Sequence, residues 1–232
     1  AGLPELAVPA DADPRWWDTV PFEHLEQNLG LVEERFDTVI VDEAQDFSPR
    51  WLGTIEQLLA DDGPQRVLML CDPGQGVYER GFVLPEPGSD LVRADLAVNC
   101  RNSHAVASLL AQFGGAPAAP GAPEGTPVTL VAVESASKAV EEAQGAVGHL
   151  LEDLVIDPSN ILVLTGHRDM RDQIRNGAPD GTFVPWEERQ SGAVICETIH
   201  RSKGLERDAV VVVTEDKDLP DHLLYVGLSR AV

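Results

Sequence analysis

Six short runs of aliphatic and β-branched residues recur along the chain, at 38–41, 66–70, 128–133, 161–164, 193–196 and 209–213. Each is closed off by turn-forming residues, and none alternates with polar side chains as a half-exposed strand does. Near-continuous apolar runs of this length suit parallel strands buried on both faces. Helix-like stretches lie between them, at 48–60, 103–113, 135–153 and 168–176. Ser48 before Pro49 is a helix start, because proline tolerates the first helical position and serine caps it. Strands alternating with helices predict an α/β fold with parallel sheets.

Composition narrows what such a fold can do. At 232 residues the chain accommodates one large domain or two small ones. Aromatics are only 5% of residues, so the core rests on Val, Leu, Ile and Ala. Against 39 Asp and Glu stand 17 Lys and Arg, a formal charge of −22. Residues 1–92 carry 19 acidic and 5 basic side chains, and residues 93–232 carry 20 and 12. Neither half is a basic platform, so nucleic-acid contact requires a local groove, with Arg201, Lys203 and Arg207 the candidates, or partner segments outside these residues. Three cysteines without a CxxC pair fit a reduced, cytoplasmic protein. No apolar run reaches the roughly 18 residues of a membrane span, and no secretory signal opens the sequence. The Pro- and Gly-rich segments 84–90 and 114–127 read as linkers, the second as an exposed, mobile loop. Trp16 and Trp17, in a stretch of little periodicity, are expected to pack against the sheet edge.

The strongest chemical signal is Val39-Ile-Val-Asp-Glu-Ala-Gln-Asp46. An apolar strand that delivers Asp-Glu at its C-terminal end is the Walker B arrangement. Asp42 is placed to hold Mg2+, usually through water, and Glu43 to polarise an attacking water. For Asp-Glu alone, the plainer alternative is acidic residues that end a strand in a polar turn. The full DEAQD string weighs against it.

This string resembles motif II of UvrD/Rep-type superfamily 1 helicases, and further motifs follow in order. Leu70-Cys-Asp-Pro-Gly-Gln-Gly-Val-Tyr78 looks like motif III, and Leu96-Ala-Val-Asn-Cys-Arg-Asn102 like motif IV. Thr198-Ile-His-Arg-Ser-Lys-Gly-Leu-Glu206 is similar to motif V, and Leu223-Leu-Tyr-Val-Gly-Leu-Ser-Arg-Ala231 to motif VI. The resemblance implies a RecA-like P-loop NTPase fold, with parallel sheets flanked by helices. Residues 1–90 would be the C-terminal part of a first RecA-like domain, and 91–232 the second. It implies ATP and Mg2+ as cofactors, the metal at Asp42 and Glu43, and single-stranded DNA as partner, in repair, recombination or phage defence. Catalysis would fall to Asp42, Glu43, Gln75, Arg101 and Arg230. Gln75 would sense the terminal phosphate, and the two arginines would neutralise charge on it from across a cleft. Asp42, Gln75, Arg101, Gly204, Glu206 and Arg230 would contact the nucleotide, Glu206 near its sugar. Tyr78, Thr198, His200 and Lys203 would meet the nucleic acid. For His200 and Lys203 an exposed polar turn after a strand remains the alternative.

The pattern also departs from that family. No GxxxxGK[ST] loop occurs, and the chain holds no Gly-Lys pair. That loop supplies the N–H groups and lysine that hold the β- and γ-phosphates. The 38 residues before Val39 are too few for the missing strand, loop and helices. Cys100 stands where the family has a tyrosine to stack on adenine, and a thiol has no flat π-face. After Tyr78 the sequence runs Glu-Arg-Gly, without the extra base-stacking aromatic often found there. Two readings follow: a fragment of an ATP-dependent DNA helicase, inactive alone for lack of an N-terminal segment with Walker A, or a helicase-like binding or regulatory module without activity. A metal-dependent nuclease finds little support, since the other acids fall in no metal-ligand spacing.

Overall fold

Five of the six apolar runs become parallel strands of two separate sheets in a computed structural model that describes residues 3–78, 80–86, 88, 91–214 and 219–232. The chain divides into two compact units, Ala1–Leu91 and Val92–Val232.

The first unit opens with helix α1, Pro14–Asn28, capped by the Asp13 carboxylate, which accepts the Trp16 N–H at 3.0 Å. Periodicity does not announce this helix, because Pro21 interrupts its middle. Trp16 and Trp17 lie on α1 and meet edge to face at 4.8 Å. Trp17 is 51% exposed, so it is not the sheet-edge packing residue expected from the sequence. Strand β1, Thr38–Val41, leads through a 3-10 turn to α2, Pro49–Glu56, whose cap is Ser48. Strand β2, Arg66–Met69, then pairs with β1 in parallel, with Val39 opposite Val67 and Ile40 opposite Leu68. Trp51 on α2 stacks on Phe22 of α1 at 5.2 Å, and Thr54 Oγ1 donates to Glu26 at 3.0 Å. Of the expected linker at 84–90, Pro87, Ser89 and Asp90 lie outside the described residues.

The second unit carries α3 (His104–Leu110), α4 (Ala136–Glu152), β3 (Ile161–Thr165), α5 (Arg168–Asn176), β4 (Phe183–Val184), β5 (Val194–Thr198), β6 (Ala209–Val213) and α6 (Asp221–Leu228). Its four strands are parallel, in the order β4-β5-β3-β6. Every residue of β3 and β5 is buried, Thr165, Glu197 and Thr198 at their C-terminal ends included. Ala139, Ala143 and Val147 of α4 and Met170 and Ile174 of α5 pack on Ile161, Val163, Val194 and Cys196. The opposite face meets α6: a Cβ on Gly227 would lie 3.3 Å from Ile199 and 3.6 Å from Val212.

One expectation is corrected in this unit. The run 128–133 forms no strand. Leu130 is 80% and Val131 60% exposed; strand propensity is realised only where a partner and a buried face exist. The 114–127 loop is hydrogen-bonded to Asn99 and to the start of α3. Asn99 N–H donates to Pro117 O at 2.7 Å, and Ala119 N–H returns a bond to Asn99 O at 2.8 Å. Pro123 and Glu124 carbonyls accept the His104 and Ala105 N–H groups, satisfying two donors that a helix start leaves open. Gly125 makes this approach possible: its φ is +75°, and a Cβ would fall 2.5 Å from Ser103 Cβ.

Candidate functional site

Parallel pairing brings the C-terminal ends of β1 and β2 side by side, where the acidic string and the 70–78 segment begin. Asp42 follows β1 and is exposed, its Oδ1 accepting the Glu43 N–H at 2.9 Å. Glu43 takes a left-handed backbone (φ 52°, ψ 40°), which turns the chain into the 3-10 segment Ala44–Asp46. That geometry costs a residue with a side chain about 1–2 kcal/mol, so neighbouring contacts must hold it.

They do so through a polar chain. Gln45, 4% exposed, donates from Nε2 to Glu43 Oε2 at 2.6 Å and accepts the Asp72 N–H at 3.0 Å. Asp72 in turn accepts from Gly74 N–H at 3.0 Å and from Gln75 Nε2 at 2.7 Å. Asp46 accepts the Val77 N–H at 3.1 Å. Asp42, Glu43 and Gln75 therefore belong to one connected cluster. Tyr78 is 46% exposed; the Arg80 guanidinium lies over its ring at 4.3 Å and over Trp51 at 4.6 Å. Arg80 also bonds Asp18 at 2.8 Å and Asp46 O at 2.8 Å.

An exposed carboxylate beside a second one suits Mg2+, a hard cation that keeps waters and takes one or two protein oxygens. Among the described residues no group of three or more potential ligand side chains forms a closed metal cage.

In the second unit, Thr198 ends β5 in register with Thr165 and is buried, while His200 is exposed in the turn that follows. Desolvation by the surrounding chain, then His222 and His167, hold the His200 imidazole below its usual pKa. Lys203 is half-buried, and Gly204 supplies the left-handed φ of +79° that carries the chain on to Glu206. Glu206 forms an ion pair with Arg101 at 2.7 Å, both side chains nearly half exposed. Arg230 is 2% exposed; its Nε donates to Val226 O and its Nη2 to Ser229 Oγ, each at 2.9 Å. Asn102 links the Arg101 segment to the carbonyls on either side of Arg230. Cys100 is exposed.

The expected phosphate groove of Arg201, Lys203 and Arg207 is partly committed elsewhere. Arg201 pairs with Glu187 and, at 3.1 Å, with Glu197. Arg207 donates to Glu206 O at 2.6 Å. Glu197, fully buried on β5, also receives Arg175 at 3.1 Å and the Trp186 N–H at 3.2 Å, with Arg171 at 3.5 Å. A buried carboxylate needs such partners, and their number fixes the strand end that leads to Thr198.

Sequence reasoning missed Gln45, Arg80, Asn102 and Glu197. A glutamate inside the apolar run 193–196 and its continuation was the available signal for the last, since a charge there must be paired. The amide between Glu43 and Asp46 was the signal for Gln45.

Parallel α/β units that gather acidic, amide and arginine side chains at and beyond their strand ends are compatible with the RecA-like fold of helicase domains. Residues 193–232 match the family model of the UvrD-like helicase C-terminal domain. The match runs through β5, the turn after it, β6 and α6, and relates the chain to UvrD/Rep-type superfamily 1 helicases. No curated protein matches the chain.

Proposed function

We propose that this chain is part of an ATP-dependent DNA helicase or translocase that couples ATP hydrolysis to movement on single-stranded DNA, in the cytoplasm. The observation that carries this reading is the hydrogen-bonded chain Glu43–Gln45–Asp72–Gln75 at two parallel strand ends, with Asp42 exposed beside it. Ligands bind at strand C-termini in parallel α/β sheets, and phosphoryl transfer gains chiefly from positioning and charge neutralisation. In this proposal Asp42 holds Mg2+, which would neutralise charge on the phosphates. Glu43 orients the attacking water, Gln75 reads the γ-phosphate, and Arg101 and Arg230 neutralise the transferred group. Gly204 and Glu206 border the nucleotide; Tyr78, Thr198, His200 and Lys203 contact the strand.

Turnover also requires a phosphate-binding loop, which these residues do not contain, so the chain alone is expected to be inactive and to work with a Walker A-bearing helicase segment. Residues 1–90 are assigned to a first RecA-like domain and 91–232 to a second. The test is DNA-stimulated ATP hydrolysis by the native polypeptide purified from source cells, with its intact mass measured alongside. A polypeptide well above 25.0 kDa with DNA-stimulated turnover, abolished in Glu43→Gln while ATP still binds, supports the proposal. A native product of this size without turnover replaces it with the second reading, a non-catalytic helicase-like module. The inward-turned Arg230 and the exposed thiol at Cys100 favour that second reading.

A further inference from the structure

Asn102 has no assigned part in the proposed chemistry, yet its side chain joins the two arginine-bearing segments of the second unit. It is 3% exposed. Its Nδ2 donates to Ser229 O at 3.1 Å and to Ala231 O, the carbonyls on either side of Arg230. Its Oδ1 accepts from Asn99 Nδ2 at 2.8 Å. Asn99 Oδ1 then accepts the N–H groups of Arg101 and Asn102, each at 3.0 Å. The orientation of the Asn102 amide is dictated by chemistry, because two carbonyl oxygens can face only its NH2 end.

The segment around Arg230 is gripped from a second side as well. Arg207 N–H donates to Arg230 O at 2.9 Å, and Val232 N–H donates to Arg207 O at 3.1 Å. Arg230 cannot swing on its backbone without breaking bonds to Asn102, and a displaced Asn102 releases the Asn99 turn that sets Arg101. Serine or alanine at this position could not span both carbonyls. Aspartate would keep the shape but turn one acceptor oxygen toward two carbonyl acceptors.

We propose that Asn102 is a positioning residue that sets Arg101 and Arg230 as one unit. The inference rests on reading those arginines as phosphate-directed, and it goes beyond that reading by naming what couples them. If Asn102 merely fastened the end of the chain, its loss would lower stability without redirecting either arginine.

Two measurements decide this. In the 232-residue chain, solvent exchange of the Arg230 Nε–H is followed by NMR in wild type, Asn102→Asp and Asn99→Ala. Faster exchange by roughly tenfold or more in Asn102→Asp, with β3 and β5 amides still protected, is expected when a buried hydrogen-bonded framework opens. Unchanged Arg230 exchange in a folded variant overturns the clamp. Should Asn102→Asp fail to fold, the milder Asn99→Ala is read by the same criterion. In the native ATP-hydrolysing protein, Asn102→Asp should lower kcat by roughly 10- to 100-fold with KM for ATP unchanged, the pattern of a lost transition-state interaction. Wild-type turnover with an unaffected variant overturns the positioning role alone. Absence of wild-type turnover removes the phosphate reading and this role with it.

Discussion

The two units hold their motifs on unequal foundations. In the second, β3 and β5 are buried along their whole length, with α4 and α5 on one face and α6 on the other. In the first, a two-stranded sheet leaves one face open: Ile40 is 62%, Leu68 49% and Leu70 48% exposed. Parallel sheets are ordinarily covered on both faces, and two strands alone are marginal in water. The first unit compensates with local devices. An aromatic cluster of Phe22, Phe47 and Trp51 sits beside a polar chain centred on Gln45 and Asp72. Its acidic cluster is thus held by hydrogen bonds beside an open sheet, whereas the turn after β5 continues from a strand that is buried along its whole length.

The largest contrast should appear in thiol chemistry. Cys196 lies within β5, where burial pushes its pKa up to about 12, while Cys71 just past β2 is half-buried. At pH 8 a thiol of that pKa is roughly one part in ten thousand thiolate, the reactive form. Native-state alkylation read by peptide mass should label Cys71 and the exposed Cys100, and reach Cys196 only in denaturant. Equal labelling of Cys71 and Cys196 would erase the contrast between the two sheets. Next comes packing. Leu162→Ala, in the fully buried β3, should cost about 2–5 kcal/mol of stability in urea unfolding. Ile40→Ala should stay within about 0.5 kcal/mol. A comparable loss at Ile40 would mean that the open face of β1 and β2 is covered in solution. The third effect belongs to the first unit alone. Gln45→Ala withdraws the acceptor from the Asp72 N–H and a donor from Glu43, which should cost about 1–3 kcal/mol. Trp51 fluorescence against that of Trp186, each in a single-tryptophan background, separates the units; an effect in both would show that they unfold together.

The contrast also explains what was legible in the sequence. Strands β1, β2, β3, β5 and β6 were readable because unbroken apolar runs bounded by turns have few other uses. Helices α2 to α5 were readable as helix-like stretches between the strands, α2 with Ser48 as its cap. Helix α1 was hidden by Pro21, and β4 spans only two residues. The run 128–133 misled because strand propensity says nothing about whether a partner is present. The candidate residues were legible one by one, through their strings. Their connections were not: Gln45 reaches Asp72 across 27 positions and Asn102 reaches Ser229 across 127. Such contacts depend on where side chains point after folding, which no local pattern encodes.

The smallest expected effect tests the polar edge of the better-packed unit. His200 follows β5 by two residues as His167 follows β3, and the strands pair at Thr198 and Thr165. His222 comes from the start of α6. Desolvation, and then these two neighbouring imidazoles, disfavour a proton on His200, so its folded pKa lies below the unfolded value of about 6.5. Between those values the unfolded chain binds more protons, so protonation favours unfolding. The stability associated with neutral His200 is therefore complete above about pH 6.5 and is lost as pH falls from there toward the folded value. Urea midpoints from pH 8 to 5 should fall less in His200→Gln than in wild type. His222→Gln should remove only part of the slope, because desolvation of His200 outweighs the charge of its neighbours. Full flattening by His222→Gln would reverse that order and make the histidine pair, rather than the packing around the turn, the source of the acid sensitivity.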